Sequence, residues 1–313
     1  MNKKPFFSII IPVIKETPYL SQTRKKLNKQ IFKNFELLVI SNKISKTSNP
    51  ALKRNLGAKM AKGKYLAFLD DDSYPHKNWL ANAKKQFDKN PNITALCGPC
   101  LTPPEDNIFQ QASGLIWSSF LGSGGAGDYR NHLSPPRFVD DYPTVNLIVN
   151  KSDFDKIGGF QTRHWPGEDT VLCLDLTRKL GKKIFYHPSI VVFHHRRAIF
   201  LPHLRQLGRY AKMRGLFVKK YPATSARPGY FLPSLFLIYL LYLLFRHPVC
   251  HPEFISGSPW TLLPLYLYLT LLLITFLLFL KNRHSLLLSL LATITIPVTH
   301  LYYGFFFILG LLS

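Results

Sequence analysis

Three consecutive carboxylates lie at the end of the apolar segment Lys64–Asp70. Asp70 is its last residue, and Asp71 and Asp72 follow directly. Adjacent carboxylates repel one another unless a cation neutralises them. Alternate members, Asp70 and Asp72, can both face one divalent hard cation, which prefers oxygen ligands and often bridges substrate phosphates. The pattern therefore predicts a divalent metal site. The alternative, a solvated acidic turn, is disfavoured because an apolar strand directly precedes it in a basic region of the chain.

A second pair of carboxylates, Glu168 and Asp169, follows Gly167 at the start of a predicted helix. Carboxylates at this position are commonly no more than a favourable interaction with the helix dipole. Next to a site that holds a metal and a phosphate, such a carboxylate could act as a general base, an effect of about 10²–10⁴ in rate. Spacing alone supports both interpretations equally.

Strand and helix patterns alternate around these residues and would position them. The predicted strands are apolar runs of the kind found in buried strands: Phe6–Val13, Phe35–Ser41, Lys64–Asp70, Ile93–Cys97, Val145–Val149 and Ile190–His194. The predicted helices are Thr17–Phe32, Pro50–Ala61, Lys77–Lys89 and Glu168–Leu180. Residues 98–143, rich in Gly, Pro and Ser, are predicted to be loops with one short helix. The alternation predicts βαβ units with a parallel sheet, whose ligands bind beyond the carboxyl ends of the strands.

Several motifs occur in a fixed order over about residues 6–215. They are SIIIPV with Glu16, Lys53-Arg54-Asn55-x-Gly57, YLAFLDDD, IGGF at 157–160 and Gly167-Glu168-Asp169. Together they resemble the family 2 inverting glycosyltransferases of GT-A fold. Gln206-x-x-Arg209-Tyr210 is similar to the QxxRW motif of cellulose- and hyaluronan-synthase-like members. The resemblance implies a GT-A α/β domain that transfers a sugar, with inversion, from a nucleotide-diphosphate donor.

The resemblance also implies roles for individual residues at the matching positions. Asp70 and Asp72 would hold Mg²⁺ or Mn²⁺, and Asp169 would deprotonate the acceptor hydroxyl, with Glu168 as the reserve candidate. Residues that bind the nucleotide sugar would be Pro12, Val13, Glu16, Arg54, Asn55, Asp70 and Asp71. Residues that close over the acceptor or the diphosphate would be Gln206, Arg209 and Tyr210. The second strand runs into Ser41-Asn42, where the family usually has an aspartate at the nucleotide base, so the base stays open.

Charge and hydrophobicity are distributed unevenly along the chain. The 313 residues contain 40 Lys and Arg against 17 Asp and Glu, a formal net charge of +23, and nearly all of these charges precede residue 230. Such a basic excess indicates anionic partners. The apolar region after residue 230 favours lipid headgroups among these partners. No RRM, KH or zinc-finger pattern supports binding of nucleic acid.

The composition divides the chain into a domain at 1–197, an amphipathic segment at 198–229 and a transmembrane region at 230–313. Within the amphipathic segment, leucines recur at helical spacing and Arg and Lys crowd the other side. This pattern is typical of a helix in a membrane interface, although an ordinary surface helix remains an alternative.

Three apolar stretches, at about 230–246, 260–280 and 285–312, predict three membrane spans. The connector 281–284 is basic, and the start of the chain lacks the pattern of a secretory signal peptide. The positive-inside rule then places the first domain and this connector in the cytoplasm. The connector 246–259 and Ser313 would lie on the outer side.

Other noticeable residues have weaker functional interpretations. Cys97-Gly98-Pro99-Cys100 spells the thioredoxin tetrapeptide, but Leu-Thr-Pro-Pro follows, which disfavours the helix that a redox site needs. His194-His195 and Arg196-Arg197 end the last predicted strand, where contact with phosphate or acceptor and a solvated turn are equally compatible. Zinc is disfavoured there because further ligands are not identified. Trp165 could stack on a sugar ring near the acceptor, although an isolated aromatic residue is more often part of a core.

The sequence therefore predicts an integral membrane glycosyltransferase that acts at the cytoplasmic face on a lipid-linked acceptor or a cell-envelope glycan. Transfer onto polyprenyl phosphate itself is the enzymatic alternative. The alternative from another class is a non-catalytic membrane scaffold with a basic lipid-binding domain, which would not need Asp70, Asp72 and Asp169.

Overall fold

Asp70, Asp71 and Asp72 follow a strand that pairs in parallel with its neighbour, whereas Glu168 and Asp169 begin a helix. The computed structural model describes residues 4–125, 127–246 and 259–313. The strands are β1 (Phe7–Pro12), β2 (Phe35–Ile40), β3 (Tyr65–Phe68), β4 (Ser73–Pro75), β5 (Ile93–Cys97), β6 (Cys100–Leu101), β7 (Arg137–Val139), β8 (Leu147–Asn150), β9 (Lys183–Tyr186) and β10 (Val192–His194). The helices are α1 (Pro18–Asn28), α2 (Asn42–Ser45), α3 (Pro50–Met60), α4 (Trp79–Lys89), α5 (Ile108–Ser118), α6 (Phe120–Ser123), α7 (Lys151–Lys156), α8 (Glu168–Leu174), α9 (Leu201–Lys220), α10 (Pro222–Ser225), α11 (Pro228–Arg246), α12 (Leu263–Lys281) and α13 (Leu286–Leu312).

The chain forms two compact units. The first contains Met1–Pro103 and Tyr129–His195, and the second contains Pro104–Asp128 and Arg196–Ser313. The second unit thus includes α5 and α6, which lie inside the range 1–197 that composition assigned to the first domain. Their apolar residues, such as Ala112 and Ile116, pack with residues of α12 and α13 rather than with the main sheet.

The main sheet of the first unit is mixed rather than parallel. Among the described residues its order is β2-β1-β3-β8-β5-β9-β7. The predicted βαβ units are confirmed for β1, β2 and β3, which pair in parallel. The prediction of a parallel sheet is wrong for β8, which pairs antiparallel with both β3 and β5. An apolar run indicates that a strand is buried. The direction of that strand depends on the edge of the sheet at which the preceding segment enters it.

Two apolar layers cover the faces of this sheet. Alternate residues of β1 point to opposite layers, so that Ile10 packs with Ala51 of α3, whereas Ile9 packs with Trp79 of α4. Because both faces are covered, β1 is buried along its whole length. Double coverage explains the continuous apolar runs from which β1 and β3 were predicted.

A second, three-stranded sheet has the order β4-β10-β6, and its strand β4 directly follows Asp72. The predicted strand at Ile190–His194 is confirmed as β10, which pairs antiparallel with β4. Buried Asn146 ties this region to the main sheet, because its Nδ2 donates to the carbonyls of Gly98 (2.6 Å) and Ile190 (2.7 Å). Its Oδ1 accepts a hydrogen bond from Trp79 Nε1 at 3.0 Å.

Helix ends follow the local sequence. Thr17 caps α1 by accepting the amide of Leu20, and Asn49 caps α3, in each case just before a proline. The predicted helix Glu168–Leu180 is confirmed as α8, which continues as a π-helical turn over Asp175–Lys179.

The second unit is built around α13. The three predicted spans coincide with α11, α12 and α13, each long and apolar enough to cross a membrane. Most of the predicted connector 246–259 lies outside the described residues. A buried polar network joins three helices: Ser113 Oγ of α5 and His203 Nδ1 of α9 are 2.9 Å apart, and His203 Nε2 lies 3.3 Å from Thr299 Oγ1 of α13.

Acidification should destabilise the second unit through His203. Burial, together with the charge of Arg196, lowers the pKa of His203 from 6.5 to about 4. As the pH falls below 6.5, His203 becomes protonated in the unfolded chain but stays neutral in the folded chain. The free energy of unfolding therefore decreases between pH 6.5 and 4. At pH 5 the loss amounts to about 2 kcal/mol.

Thermal unfolding of the detergent-purified protein between pH 7 and pH 5 tests this. We expect the melting temperature of His203→Gln to fall less with pH than that of the wild type. The matched control Ser113→Ala keeps the imidazole and should keep the wild-type slope. Equal slopes for wild type and His203→Gln would contradict the prediction.

Candidate active site

Arg54 of α3 lies at the centre of the candidate site and pairs with two carboxylates. Its Nη2 lies 2.7 Å from Asp70 Oδ1, and its Nη1 lies 2.8 Å from Glu168 Oε1. The Arg54 side chain is only 5% exposed. Burial alone would lower the pKa of Arg54, but the charges of Asp70 and Glu168 outweigh it and raise that pKa. The ion pairs therefore hold α3, the end of β3 and the start of α8 together.

Asp70, Asp72 and His194 form a group of possible metal ligands. One donor atom from each lies within 4.8 Å of the others, and His194 Nε2 lies 3.2 Å from Asp72 Oδ1. The two aspartates follow β3, and the pairing of His194 with Ser73 brings β10 beside them. Two carboxylates and an imidazole suit Mn²⁺ well, whereas Mg²⁺ prefers oxygen ligands alone.

Sequence reasoning missed His194 as a possible ligand. It had assigned the His194-His195 pair to phosphate contact or a solvated turn. The available signal was that this pair follows an apolar strand, as the aspartates do. The sequence does not show that β10 pairs with β4, the strand that follows Asp72.

The start of α8 carries the second pair of carboxylates to Arg54. Gly167 precedes the helix with φ of 115°, a backbone conformation that favours glycine. Glu168 is buried, and burial raises its pKa against the opposing effect of Arg54. Asp169 is half-buried, its Oδ1 accepts the amide of Thr170 at 2.8 Å, and its charge also acts on Arg54. Asp169 thus lies in the same site as Asp70.

The other predicted nucleotide-binding residues have varied surroundings. Pro12 and Val13 end β1 at the same edge as Asp70, and the carbonyl of Val13 accepts a hydrogen bond from Lys53 Nζ at 2.6 Å. The charge of Asp71 acts on Lys53. Glu16 is exposed and lies 3.7 Å from Arg24.

Asn55 has a clear structural partner. Its Nδ2 donates to the carbonyl of Phe160 at 2.8 Å, and its Oδ1 accepts the amide of Phe160 at 2.9 Å. The side chain therefore fixes the IGGF segment, which precedes α8, to α3.

The predicted acceptor residues are divided between the two units. Trp165 belongs to the first unit, where it is 54% exposed and joined to Pro166 by a cis peptide bond. Gln206, Arg209 and Tyr210 lie on α9 in the second unit. Gln206 Nε2 donates to the Tyr210 hydroxyl at 3.3 Å, as their shared helix face predicts.

The Cys97-Gly98-Pro99-Cys100 tetrapeptide does not have the surroundings of a redox site. Cys97 and Cys100 are buried, and they lie on strands β5 and β6 rather than at a helix start. Burial raises the pKa of the Cys97 thiol well above its usual value, which is the opposite of an activated thiolate.

Comparison with known proteins agrees with the resemblance seen in the motifs. Residues 43–133, which include Arg54, Asp70 and Asp72, match the model for glycosyl transferase family 2. This part of the chain is therefore similar to that family. The similarity of Gln206-x-x-Arg209-Tyr210 to QxxRW lies outside the matched residues and stays a prediction.

Curated relatives of this chain are distant. A pre-mycofactocin glycosyltransferase from Mycobacterium tuberculosis is 25% identical over 155 residues, which cover 48% of this chain and 31% of the relative. A glucosyl-dolichyl phosphate glucuronosyltransferase from Haloferax volcanii is 21% identical over 151 residues, 45% of this chain and 46% of the relative. The chain thus spans between about a third and a half of these relatives.

A solved structure confirms the GT-A fold. A mannosyltransferase from Pyrobaculum calidifontis, in complex with GDP-Man and Mn²⁺, has a TM-score of 0.51 at 16% identity. The match covers 96% of this chain and 88% of that chain. At this identity the likeness concerns the fold and not the substrate.

Removing Arg54 should destabilise the first unit strongly. Arg54→Ala leaves buried Glu168 and partly exposed Asp70 without their cation, which costs about 3–5 kcal/mol. Chemical denaturation of the purified variant measures the loss. The control is Arg24→Ala, which removes an exposed pair and should cost less than about 1 kcal/mol. Similar losses in both variants would show that the Arg54 pairs contribute little.

Binding of Mn²⁺ should depend on His194 as well as on the aspartates. We expect His194→Ala and Asp72→Asn each to weaken Mn²⁺ binding at least about tenfold, because each removes one of three donors. Isothermal titration with Mn²⁺ measures this. Asp88→Asn, which alters an exposed pair with Lys84 on α4, is the control and should bind as the wild type does. Unchanged binding by His194→Ala would exclude the imidazole as a ligand.

Proposed function

We propose that this protein is a membrane-bound glycosyltransferase that moves a sugar, with inversion, from a nucleotide-diphosphate donor to a lipid-linked or envelope-glycan acceptor. The observation that carries the proposal is the joining of two sets of carboxylates by Arg54 at the carboxyl ends of β1 and β3. One set fits a divalent metal, and the other begins α8. Ligands of open α/β sheets bind at this edge.

The donor end of the site would be formed by Asp70, Asp72 and His194, which would hold Mn²⁺ or Mg²⁺. Such an ion, when bound, stabilises the negative charge of a departing diphosphate. The imidazole donor favours Mn²⁺ of the two. The mannosyltransferase with GDP-Man and Mn²⁺ supports a donor and an ion of this kind.

Asp169 is the better candidate for the base. Glu168 is buried and bonded to Arg54, so accepting a proton would cost it the ion pair. Glu168 therefore positions Arg54, and Asp169 on the same turn takes the proton of the acceptor hydroxyl. The acceptor oxygen then bonds to the anomeric carbon as the bond from that carbon to the diphosphate oxygen breaks. Attack from the side opposite the leaving group inverts the configuration.

The membrane helices and the basic second unit support a lipid-linked acceptor. The relative from Haloferax volcanii is named for transfer to glucosyl-dolichyl phosphate, a sugar already on a lipid. This favours extension of a lipid-linked saccharide over transfer onto polyprenyl phosphate itself. The basic connector Lys281–His284 supports a catalytic domain at the cytoplasmic face.

Asp169→Asn should lower kcat by about 10²–10⁴ while donor binding is kept, because the general base is lost and the metal ligands remain. The assay is release of nucleoside diphosphate from a panel of nucleotide sugars with Mn²⁺, Mg²⁺ or EDTA. Polyprenyl phosphate and a lipid-linked saccharide are supplied in separate arms. Asp155→Asn on the exposed side of α7 is the control and should leave kcat unchanged.

The same assay separates the alternatives. Full activity of Asp169→Asn would exclude Asp169 as the base. If no nucleotide sugar binds, either with or without metal, the result would instead favour the non-catalytic scaffold. Release only with polyprenyl phosphate would identify a polyprenyl-phosphate sugar synthase.

A further inference from the structure

Helix α9 packs closely along the second half of α13, and the two helices run in the same direction. The contact starts where His203 meets Thr299, 3.3 Å apart. It continues where Gly208 lies under the rings of Tyr302 and Phe306. It ends where Gly215 meets the backbone of Phe307 and Gly310, a place without room for a side chain. Residue numbers rise together on both helices, so Thr299–Leu311 of α13 lies beside α9.

This stretch of α13 therefore lies at the same level along the membrane normal as the cations of α9. Helix α9 carries six Arg and Lys residues and no Asp or Glu: Arg205, Arg209, Lys212, Arg214, Lys219 and Lys220. Three of them, Arg205, Arg209 and Lys212, line a cleft of about 180 Å³ together with Tyr302 and Phe306 of α13. Cations are costly in the hydrocarbon of a bilayer, so α9 belongs at the level of the headgroups.

The part of α13 that precedes its first cleft residue, Tyr302, is too short to cross a bilayer. From Leu286 to the residue before Tyr302 it has about 16 residues, or about 24 Å at 1.5 Å per residue. The hydrocarbon core is about 30 Å thick and needs about 20 residues. Burial also distinguishes α13 from the other candidate spans. Within the protein, 39% of the apolar stretch of α13 is buried, against 6% for α11 and 17% for α12.

We propose that α13 does not cross the bilayer, and that α9 and α13 together form a surface for an anionic membrane leaflet. Cations of α9 would meet the lipid phosphates. The acyl chains would meet the exposed apolar face of α13, formed by Leu286, Leu290, Ile294, Val298, Phe305, Leu309 and Leu312. The proposal rests on the membrane attachment in the proposed function, and it changes the topology that hydropathy predicts.

The topological consequence concerns Ser313. No candidate span lies between the first unit and α9, so both are on one side of the membrane. Since α9 contacts α13 up to Leu311, Ser313 lies on that side too. Three spans would put it on the opposite side.

Labelling of single cysteines in sealed vesicles with a membrane-impermeant maleimide tests the crossing. In a Cys250→Ser background, Asn282→Cys and Ser313→Cys mark the two ends of α13, and Lys85→Cys on α4 marks the first unit. We expect all three to react from the same side. Reaction of Asn282→Cys and Ser313→Cys from opposite sides would overturn the proposal. The pattern does not depend on transferase activity, so failure of the proposed function would leave this result intact.

Thermal unfolding in nanodiscs tests the anionic leaflet. We expect a higher melting temperature with about a third phosphatidylglycerol than with phosphatidylcholine alone. Arg205→Gln with Lys212→Gln should remove most of that difference. The matched pair Lys85→Gln with Lys89→Gln, on α4 of the first unit, should keep it. Equal melting temperatures in the two lipids, or an equal effect of both double variants, would overturn this part.

Discussion

The candidate site depends on one buried guanidinium. Arg54 binds Asp70 at the end of β3 and Glu168 at the start of α8, and it is itself fixed within α3. Removing the charges of Arg54 and Glu168 from water costs several kcal/mol per ion, and only short contacts between them offset this cost. The three elements therefore have little freedom to move apart. Their arrangement brings Asp70, a member of the candidate metal group, and Asp169 into the surroundings of Arg54.

The pairing of β10 with β4 supplies the rest of the metal group. It places His194 opposite Ser73 and hence beside Asp72, on segments far apart in the chain. Asn146 supports this arrangement because its Nδ2 donates to the carbonyl of Ile190, before β10, and to that of Gly98, after β5. Packing in the core is thus coupled to the position of His194, a possible metal ligand.

The second unit shows that similar hydropathy can have different physical origins. Helices α11 and α12 present most of their apolar side chains outward, whereas α13 buries a polar and small-residue face against α5 and α9. The buried face includes Thr299, which contacts the imidazole of His203, and Gly310, which allows close contact with the backbone of α9. A hydropathy window averages over all faces of a helix and misses this difference.

The sequence by itself determined the covered strands, the βαβ start, the aspartates after β3, the carboxylates at the start of α8 and the three apolar helices. Each of these depends on local periodicity, caps or adjacent residues. Only the tertiary structure decided four further features. They are the antiparallel insertion of β8, the Arg54 ion pairs, the position of His194, and the docking of α5 and α6 on α13. They depend on which distant segments meet, and the free energy of those contacts is not encoded within any short stretch of residues.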